Sequence, residues 1–255
     1  MSKRQEARYH PALLVLGSFL GLVLIGTFML KLPVSTSTHH ISWVDGLFTA
    51  TSAVCVTGLI VVDTGRYFSF FGQLIILLLI QIGGLGIMTL SVVMYRWIGR
   101  NISYRQRKLL QDLFTHTPRE DIFKLVFSVI KFTFILELSG CILLILFFMQ
   151  KMSFSEALWV SIFHAVSAFC NAGFSLFNDS LVQFEQSVYI NSVVSALIIL
   201  GGIGFPVLYE LEQLVVLGKK NRKSIHLHTV LSASLILIVF GALLLGILEF
   251  SPGKP

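Results

Sequence analysis

Apolar runs of two different lengths alternate along this chain. A helix needs about 20 apolar residues to cross the hydrocarbon core of a bilayer. Five runs are long enough to predict membrane-spanning helices: Pro11–Leu32, Phe70–Tyr95, Leu125–Met149, Val188–Leu217 and Thr229–Phe250. Two shorter runs, Trp43–Ala53 and Phe154–Ala168, have 11 and 15 residues and are too short to span. The pattern therefore predicts two kinds of helix in one membrane protein.

The composition supports a membrane protein and excludes an ordinary soluble domain. Of the 255 residues, 55% are hydrophobic and 13% are charged, whereas soluble domains carry about 25% charged residues. The net charge of +6 would suit nucleic acid, but the charges lie in clusters between apolar runs, as membrane topology signals do. The three cysteines, Cys55, Cys141 and Cys170, form no CxxC pair, so we expect neither a disulfide framework nor a zinc site.

The distribution of Lys and Arg predicts the orientation. Residues 1–10, 96–124 and 218–228 carry fourteen of them, whereas the opposite side, as far as residue 228, would carry only Lys31, Arg66 and Lys151, and Lys131 lies within the apolar run Leu125–Met149. The positive-inside rule then places the N-terminus in the cytoplasm of a plasma membrane protein. This holds only if each short run enters from outside and returns. Because non-helical backbone is tolerated at membrane depth only when it is buried in protein or lines water, two re-entrant pore helices indicate a pore.

An internal repeat gives the domain organisation. The segment LFTATSAVCVTGL (47–59) aligns with IFHAVSAFCNAGF (162–174) at an offset of 115 positions, with identities at Ser, Cys and Gly. Further on, IGGLG (82–86) aligns with LGGIG (200–204) at an offset of 118. Chance similarity between two membrane hairpins is the alternative, but it would not favour those residue types.

We therefore predict an all-α integral membrane fold of repeated helix–pore loop–helix units. It would contain about five membrane-spanning helices and two re-entrant pore helices. Residues 1–95 form the first unit, 96–124 a basic cytoplasmic connector, and 125–217 the second unit. Residues 218–255 form a basic connector and the first helix of an incomplete third unit.

The polar strand after each short helix is the candidate site. A dehydrated cation can be held by backbone carbonyls that point inward from an extended strand, and such a backbone needs glycine where φ is positive. The C-terminal end of a helix is also negative and attracts a cation. The residues expected to present carbonyls are Cys55, Val56, Thr57, Gly58, Cys170, Asn171, Ala172 and Gly173. The alternative for the two glycines is a simple turn.

Four segments carry a family resemblance: FTATSAVCVTGLIVVDTG, LLIQIGGLGIMTLS, FHAVSAFCNAGFSL and LGGIGFPVLYEL. They resemble the pore subunit of Ktr-type potassium uptake systems, in the Trk/Ktr/HKT superfamily, whose fold is like that of potassium channels. The resemblance implies four such units around one potassium pathway, each with a key glycine, here Gly58 and Gly173. It also implies a membrane homodimer in lipid, seated on a cytosolic nucleotide-binding regulatory ring. Potassium is bound without a cofactor, and some members use sodium as a coupling ion.

Two filters occur here where the family pattern has four. The alternative to a potassium-conducting subunit is therefore a non-conducting N-terminal portion that needs a further half to form a pore. An enzyme acting in the membrane would need Ser–His, paired Asp or HExxH residues on the long helices. The long runs contain no such group, so we expect no enzyme.

For each of the remaining polar and small residues, the sequence allows two interpretations. Glu137 is a structural hydrogen-bond or ion-pair partner, or it coordinates the ion. His164 is a packing or hydrogen-bonding residue rather than a metal ligand. Asp63 and Asp179 attract cations at the outer mouth, or they are solvated loop charges. The glycine runs serve close helix packing or a bend, which Pro206 favours in the second copy; these glycines are Gly83, Gly84, Gly86, Gly201, Gly202 and Gly204.

Overall fold

A computed structural model describes residues 11–37, 40–86, 122–204, 207–208, 210–211, 214 and 225–249. Two compact units divide the chain, Met1–Gly202 and Ile203–Pro255. The first contains the candidate site, the first repeat, and the second repeat as far as Gly202. The basic connectors predicted at 96–124 and 218–228 lie almost entirely outside the described residues, as does Pro206.

The described part of the chain is helical. In the first repeat the helices are α1 (Pro11–Lys31), α2 (Trp43–Val54), α3 (Thr64–Tyr67) and α4 (Phe70–Leu85). In the second repeat they are α5 (Ile122–Phe148), α6 (Phe154–Phe169) and α7 (Val188–Gly202), and single 3-10 turns cover Pro33–Ser35 and Val182–Phe184. The second compact unit contains α8 (Ile225–Glu249).

The short apolar runs form helices α2 and α6, whose bounds extend the predicted ones by a single residue each. Each begins with a serine that is followed, three positions later, by an acidic residue in the first turn. The Asp45 amide donates to Ser42 Oγ at 3.1 Å, and the Ser153 amide donates to Glu156 Oε2 at 3.2 Å. These caps satisfy amides that have no partner within the helix.

In each repeat, the two longer helices hold the short helix between them. Helix α2 packs against α1 and α4, and α6 packs against α5 and α7. Small residues allow close approach: a Cβ on Gly26 would lie 2.7 Å from Leu79 Cδ1, and one on Gly140 would lie 2.6 Å from Leu197 Cδ1. Because these are corresponding pairs, the two repeats share one packing scheme.

Apolar side chains cover much of the outer surface. Within the described residues, two helical stretches are long and apolar enough to cross a membrane, Val126–Phe148 and Leu227–Leu248. On α5, Leu144 is 1% exposed in the core, whereas Leu138 is 61% exposed on the opposite side. Exposed leucines of this kind suit contact with lipid rather than water. The structure therefore confirms an all-helical fold with an apolar exterior.

The predicted spans Phe70–Tyr95 and Val188–Leu217 were wrong as continuous helices. Helix α4 ends at Leu85 and α7 ends at Gly202. The backbone then takes positive φ values, 78° at Gly86 and 94° at Gly204. A left-handed residue ends a right-handed helix, and glycine adopts it without steric cost. With 16 and 15 residues, these two helices are shorter than the about 20 residues of a full span.

Candidate ion-conduction site

The first short helix, α2, ends in a tight hydrogen-bonded turn that leads into the first polar strand. The Val56 amide donates to Ala53 O at 3.2 Å, and the Thr57 amide donates to Ser52 O at 2.8 Å. These two bonds define a Schellman motif, in which the first residue past the cap is left-handed. That residue is Val56, with φ of 55°, a genuine outlier for a β-branched side chain.

The second short helix, α6, ends in the same turn. The Asn171 amide donates to Ala168 O at 3.0 Å, and the Ala172 amide donates to Ser167 O at 2.7 Å. The left-handed position is Asn171, with φ of 58°. Its side-chain Nδ2 also donates to Phe169 O at 3.3 Å. The two repeats therefore enter their strands through one backbone geometry, although only the second has a residue suited to it.

The sign of φ alternates along both strands. It is −84° at Cys55, 55° at Val56 and 78° at Gly58, with a negative value at Thr57 between them. In the second strand it is −72° at Cys170, 58° at Asn171 and 73° at Gly173. The two strands therefore share the same order of φ signs, from Cys55 to Gly58 and from Cys170 to Gly173.

The two strands lie against each other at their glycines. A Cβ on Gly58 would lie 2.5 Å from Ala172 O and 3.1 Å from the Gly173 Cα. No real side chain tolerates such contacts, and the positive φ at Gly58 would strain any other residue. The structure therefore brings the two predicted strands together at Gly58, Ala172 and Gly173, and explains why glycine occupies position 58.

Side chains of α6 form hydrogen bonds with the residues that directly follow the second strand. Ser167 Oγ donates to Phe174 O at 2.7 Å. His164 Nδ1 donates to Val160 O at 2.8 Å, so its Nε2 accepts from Ser175 Oγ at 2.9 Å. Both ring nitrogens of His164 are therefore used in hydrogen bonds, which agrees with the hydrogen-bonding interpretation.

The first strand lacks the corresponding support. Ser52 and Thr49 occupy the positions equivalent to Ser167 and His164. Their hydroxyl oxygens are buried and have no hydrogen-bond partner. The two strands thus share a backbone path but differ in how firmly side chains hold them.

The glycine runs pack the base of the site. A Cβ on Gly83 would overlap Val54 O, and one on Gly201 would overlap Phe169 O. These oxygens belong to the last residues of α2 and α6. A Cβ on Gly84 would lie 2.6 Å from Cys170 Sγ, across the boundary between the repeats. Close packing therefore explains these three glycines, whereas Gly86 and Gly204 end helices.

Sequence reasoning missed a polar link between the repeats at Gln73. Its side chain is 9% exposed. Nε2 donates to Gly65 O at 3.1 Å and to Phe68 O at 3.0 Å, and Oε1 accepts from Trp159 Nε1 at 2.7 Å. The signal that could have indicated a partner is an amide inside the apolar run FFGQLII.

The remaining candidates have local roles or lie beside the strands. Asp63 Oδ1 accepts from the Gly65 and Arg66 amides at 2.9 and 3.0 Å and caps α3. Asp179 Oδ1 accepts from Gln183 Nε2 at 3.2 Å. Glu137 is buried in α5, with Oε1 4.0 Å from the sulfur of the strand residue Cys170.

Comparison with known proteins gives consistent matches along nearly the whole chain. Residues 8–251 match the TrkH family, described as a cation transport protein. The chain is 41% identical over 246 residues to the Ktr system potassium uptake protein B of Bacillus subtilis (strain 168), covering 95% of this chain and 54% of that protein. It is 38% identical over 252 residues to the potassium/sodium uptake protein NtpJ of Enterococcus hirae, covering 98% and 55%.

A third relative, the Ktr system potassium uptake protein B of Vibrio alginolyticus, is 36% identical over 249 residues, covering 97% of this chain and 54% of that protein. The chain thus spans about half the length of the curated relatives it matches.

Proposed function

The chain belongs to the TrkH family of cation transport proteins, and from this premise we propose that it takes up potassium across the plasma membrane as a pore-forming subunit. The family consists of transporters and not of enzymes. The proposed filter is formed by the carbonyls of the two strands, at Cys55, Val56, Thr57, Gly58, Cys170, Asn171, Ala172 and Gly173.

The alternating φ values in both strands carry this proposal. They give both strands the same backbone path, on which we place successive carbonyls on one side, as a carbonyl-lined pathway needs, and the strands touch at Gly58 and Gly173. Each strand follows directly on the C-terminal end of a short helix, where the helix dipole is negative. Oxygen ligands and a negative helix end both favour a monovalent cation over an anion.

Potassium is the proposed main ion, and sodium is the proposed second ion. The names of two relatives specify potassium uptake, and the name of a third specifies potassium and sodium. The two strands, VCVTGL and FCNAGF, are simpler than TVGYG and differ from each other, so we expect weaker discrimination against sodium than in potassium channels.

The wider assembly is proposed on the same basis. The N-terminus lies in the cytoplasm, as the Lys and Arg distribution favours. The repeats at residues 1–95 and 125–217 contribute two of four filters, in a homodimer within lipid. The proposed cytosolic partner is a nucleotide-binding regulatory ring, as the resemblance to Ktr-type systems implies, and two relatives are named for a Ktr system. The basic segment 96–124 is the proposed contact with this ring or with anionic lipid.

A second candidate function follows from the length of the relatives. Because this chain spans about half of each of them, the two repeats conduct only together with further units under this alternative. The chain would then fold and bind its partner half without transporting potassium alone.

The test is potassium uptake by a bacterium that lacks its own uptake systems. Cells expressing the chain are grown on low potassium, and rubidium uptake is measured, beside Gly58→Ala and the matched control Gly17→Ala. A Cβ on Gly58 meets Ala172 O, whereas one on Gly17 meets nothing within 4 Å. We expect wild type and Gly17→Ala to take up rubidium and Gly58→Ala to lose at least about 90% of the uptake.

Two other results are informative. Equal uptake by Gly58→Ala and wild type would show that the strand assignment is wrong. No uptake by a wild-type chain that is correctly inserted in the membrane would favour the second candidate function.

A further inference from the structure

Glu137 is a carboxylic acid buried beside the second polar strand. It lies in the middle of α5 and is 6% exposed. Cys170 Sγ, at the start of the strand, is 4.0 Å from Glu137 Oε1, with the thiol as donor. The Gln81 side chain of α4 lies near the same carboxyl group, but its Nε2 is buried without a hydrogen bond.

The corresponding position in the first repeat shows what packing alone requires. Gly26 and Gly140 make equivalent contacts in α1 and α5, so the residue equivalent to Glu137 is Val23, three positions before Gly26. Val23 is 7% exposed and belongs to the apolar core. An apolar side chain therefore satisfies this packing site, and the carboxyl group in the second repeat requires another explanation.

The surroundings of Cys170 supply that explanation. Helix α4 approaches the cysteine so closely that a Cβ on Gly84 would lie 2.6 Å from its sulfur, and α5 brings Glu137 to the same sulfur. A buried carboxyl group in an apolar span is expensive unless it has polar partners. The hydrogen-bond partner of Glu137 is Cys170, the first residue of the strand.

We propose that Glu137 is a positioning residue for the second filter strand. Its carboxyl group accepts from the Cys170 thiol, and so holds the start of the strand at the position where Gly84 of the first repeat packs against it. It acts through Cys170 and makes no contact with the conducted ion. The link to ion selectivity rests on the proposed function, but the link to the position of Cys170 does not.

The first experiment measures strand position without transport. The purified chain is alkylated with a neutral maleimide, and mass spectrometry follows Cys170 and, as an internal reference, the exposed Cys55. Glu137→Leu and Glu137→Gln both remove the charge, but only the amide keeps an acceptor oxygen. We expect Cys170 in Glu137→Leu to react at least about fivefold faster than in Glu137→Gln, with Cys55 unchanged.

The control variant is Thr133→Val, one helical turn earlier on α5. Its hydroxyl is buried without a partner, so the exchange should leave the Cys170 rate within about twofold of wild type. Equal Cys170 rates in Glu137→Leu and Glu137→Gln would overturn the proposal. If Glu137→Leu fails to fold, Glu137→Val takes its place, because valine occupies the equivalent position 23 of the first repeat, and equal Cys170 rates in Glu137→Val and Glu137→Gln would overturn the proposal as well.

The second experiment measures the ratio of rubidium to sodium uptake in cells. We expect Glu137→Leu to lower this ratio at least about threefold and Glu137→Gln to restore it to near the wild-type value. Equally low ratios in both variants would mean that the charge acts on the ion directly, which contradicts a positioning role. If the wild-type chain does not transport, the proposed function fails, while the alkylation rates still decide the role of Glu137.

Discussion

Replacing Asn171 with valine tests whether the left-handed turn at the start of the strand carries a measurable energetic cost. An L-residue in the left-handed region costs about 1–2 kcal/mol, and asparagine is among the few residue types that tolerate it. The change also removes the hydrogen bond from Asn171 Nδ2 to Phe169 O, with a net contribution of about 1 kcal/mol. Asn171→Val should therefore lower the free energy of unfolding by about 2–3 kcal/mol.

The assay is equilibrium unfolding of the purified chain in mixed micelles, with increasing SDS as denaturant. Asn171→Gly is the matched control, because it loses the same hydrogen bond but has no strain at positive φ. It should cost about 1 kcal/mol. In the reciprocal variant, Val56→Asn, relief of strain competes with the loss of half-buried apolar surface, so we expect a gain of at most about 1 kcal/mol.

The result that would refute this reasoning is an equal loss of stability in Asn171→Val and Asn171→Gly. The left-handed backbone would then impose no cost on valine, and the Schellman turn would not explain the choice of residue at position 171.

Three further predictions use the same unfolding assay. Ser167→Ala should cost about 1 kcal/mol because a buried hydrogen bond is lost, whereas Ser52→Ala should change stability by less than about 0.5 kcal/mol; equal effects would contradict the difference in support between the strands. Gln73→Leu removes three hydrogen bonds and should cost about 2–3 kcal/mol, and a neutral effect would show that the link between the repeats adds no stability. Gly83→Ala and Gly201→Ala should each lower the free energy of unfolding by about 1–3 kcal/mol, because the new methyl groups overlap backbone carbonyls. Wild-type stability in either variant would contradict the close packing.

The short helices could be predicted from the sequence almost to the residue, because two independent signals agree there. The apolar run gives the length, and a serine followed by an acidic residue marks the start at Ser42 and again at Ser153. Their ends were also within reach, since a polar, glycine-containing segment follows each run. These helix boundaries depend on residues that are neighbours in the chain, so they can be predicted from the sequence alone.

The ends of α4 and α7 could not be predicted from hydropathy. The runs IGGLGIMTLS and LGGIGFPVLY remain apolar beyond Leu85 and Gly202, so composition gives no reason to stop. The helices end because Gly86 and Gly204 take positive φ. A glycine permits that conformation but does not require it, so the sequence does not show at which glycine the helix ends.

The candidate site could also be predicted only in part. The repeat alignment marks Cys55–Gly58 and Cys170–Gly173 as corresponding strands, and glycine predicts positive φ at one position in each. The second left-handed position was hidden, because Val56 is a residue type that argues against it. Its counterpart Asn171 was the available hint. The contact between Gln73 and Trp159, separated by 86 positions, arises only from the packing of one repeat on the other.

Helix α4 packs against α6 of the second repeat. Helix α4 of the first repeat supplies Gly84 against Cys170 Sγ and Gln73 against Trp159, both of which belong to the second repeat. The sulfur of Cys170 is therefore placed by the first repeat, whereas its counterpart Cys55 is exposed. The two strands therefore share a backbone path but have different neighbours. The path of the first strand follows from its own turn and from Gly58, whereas the path of the second strand also depends on contacts with α4.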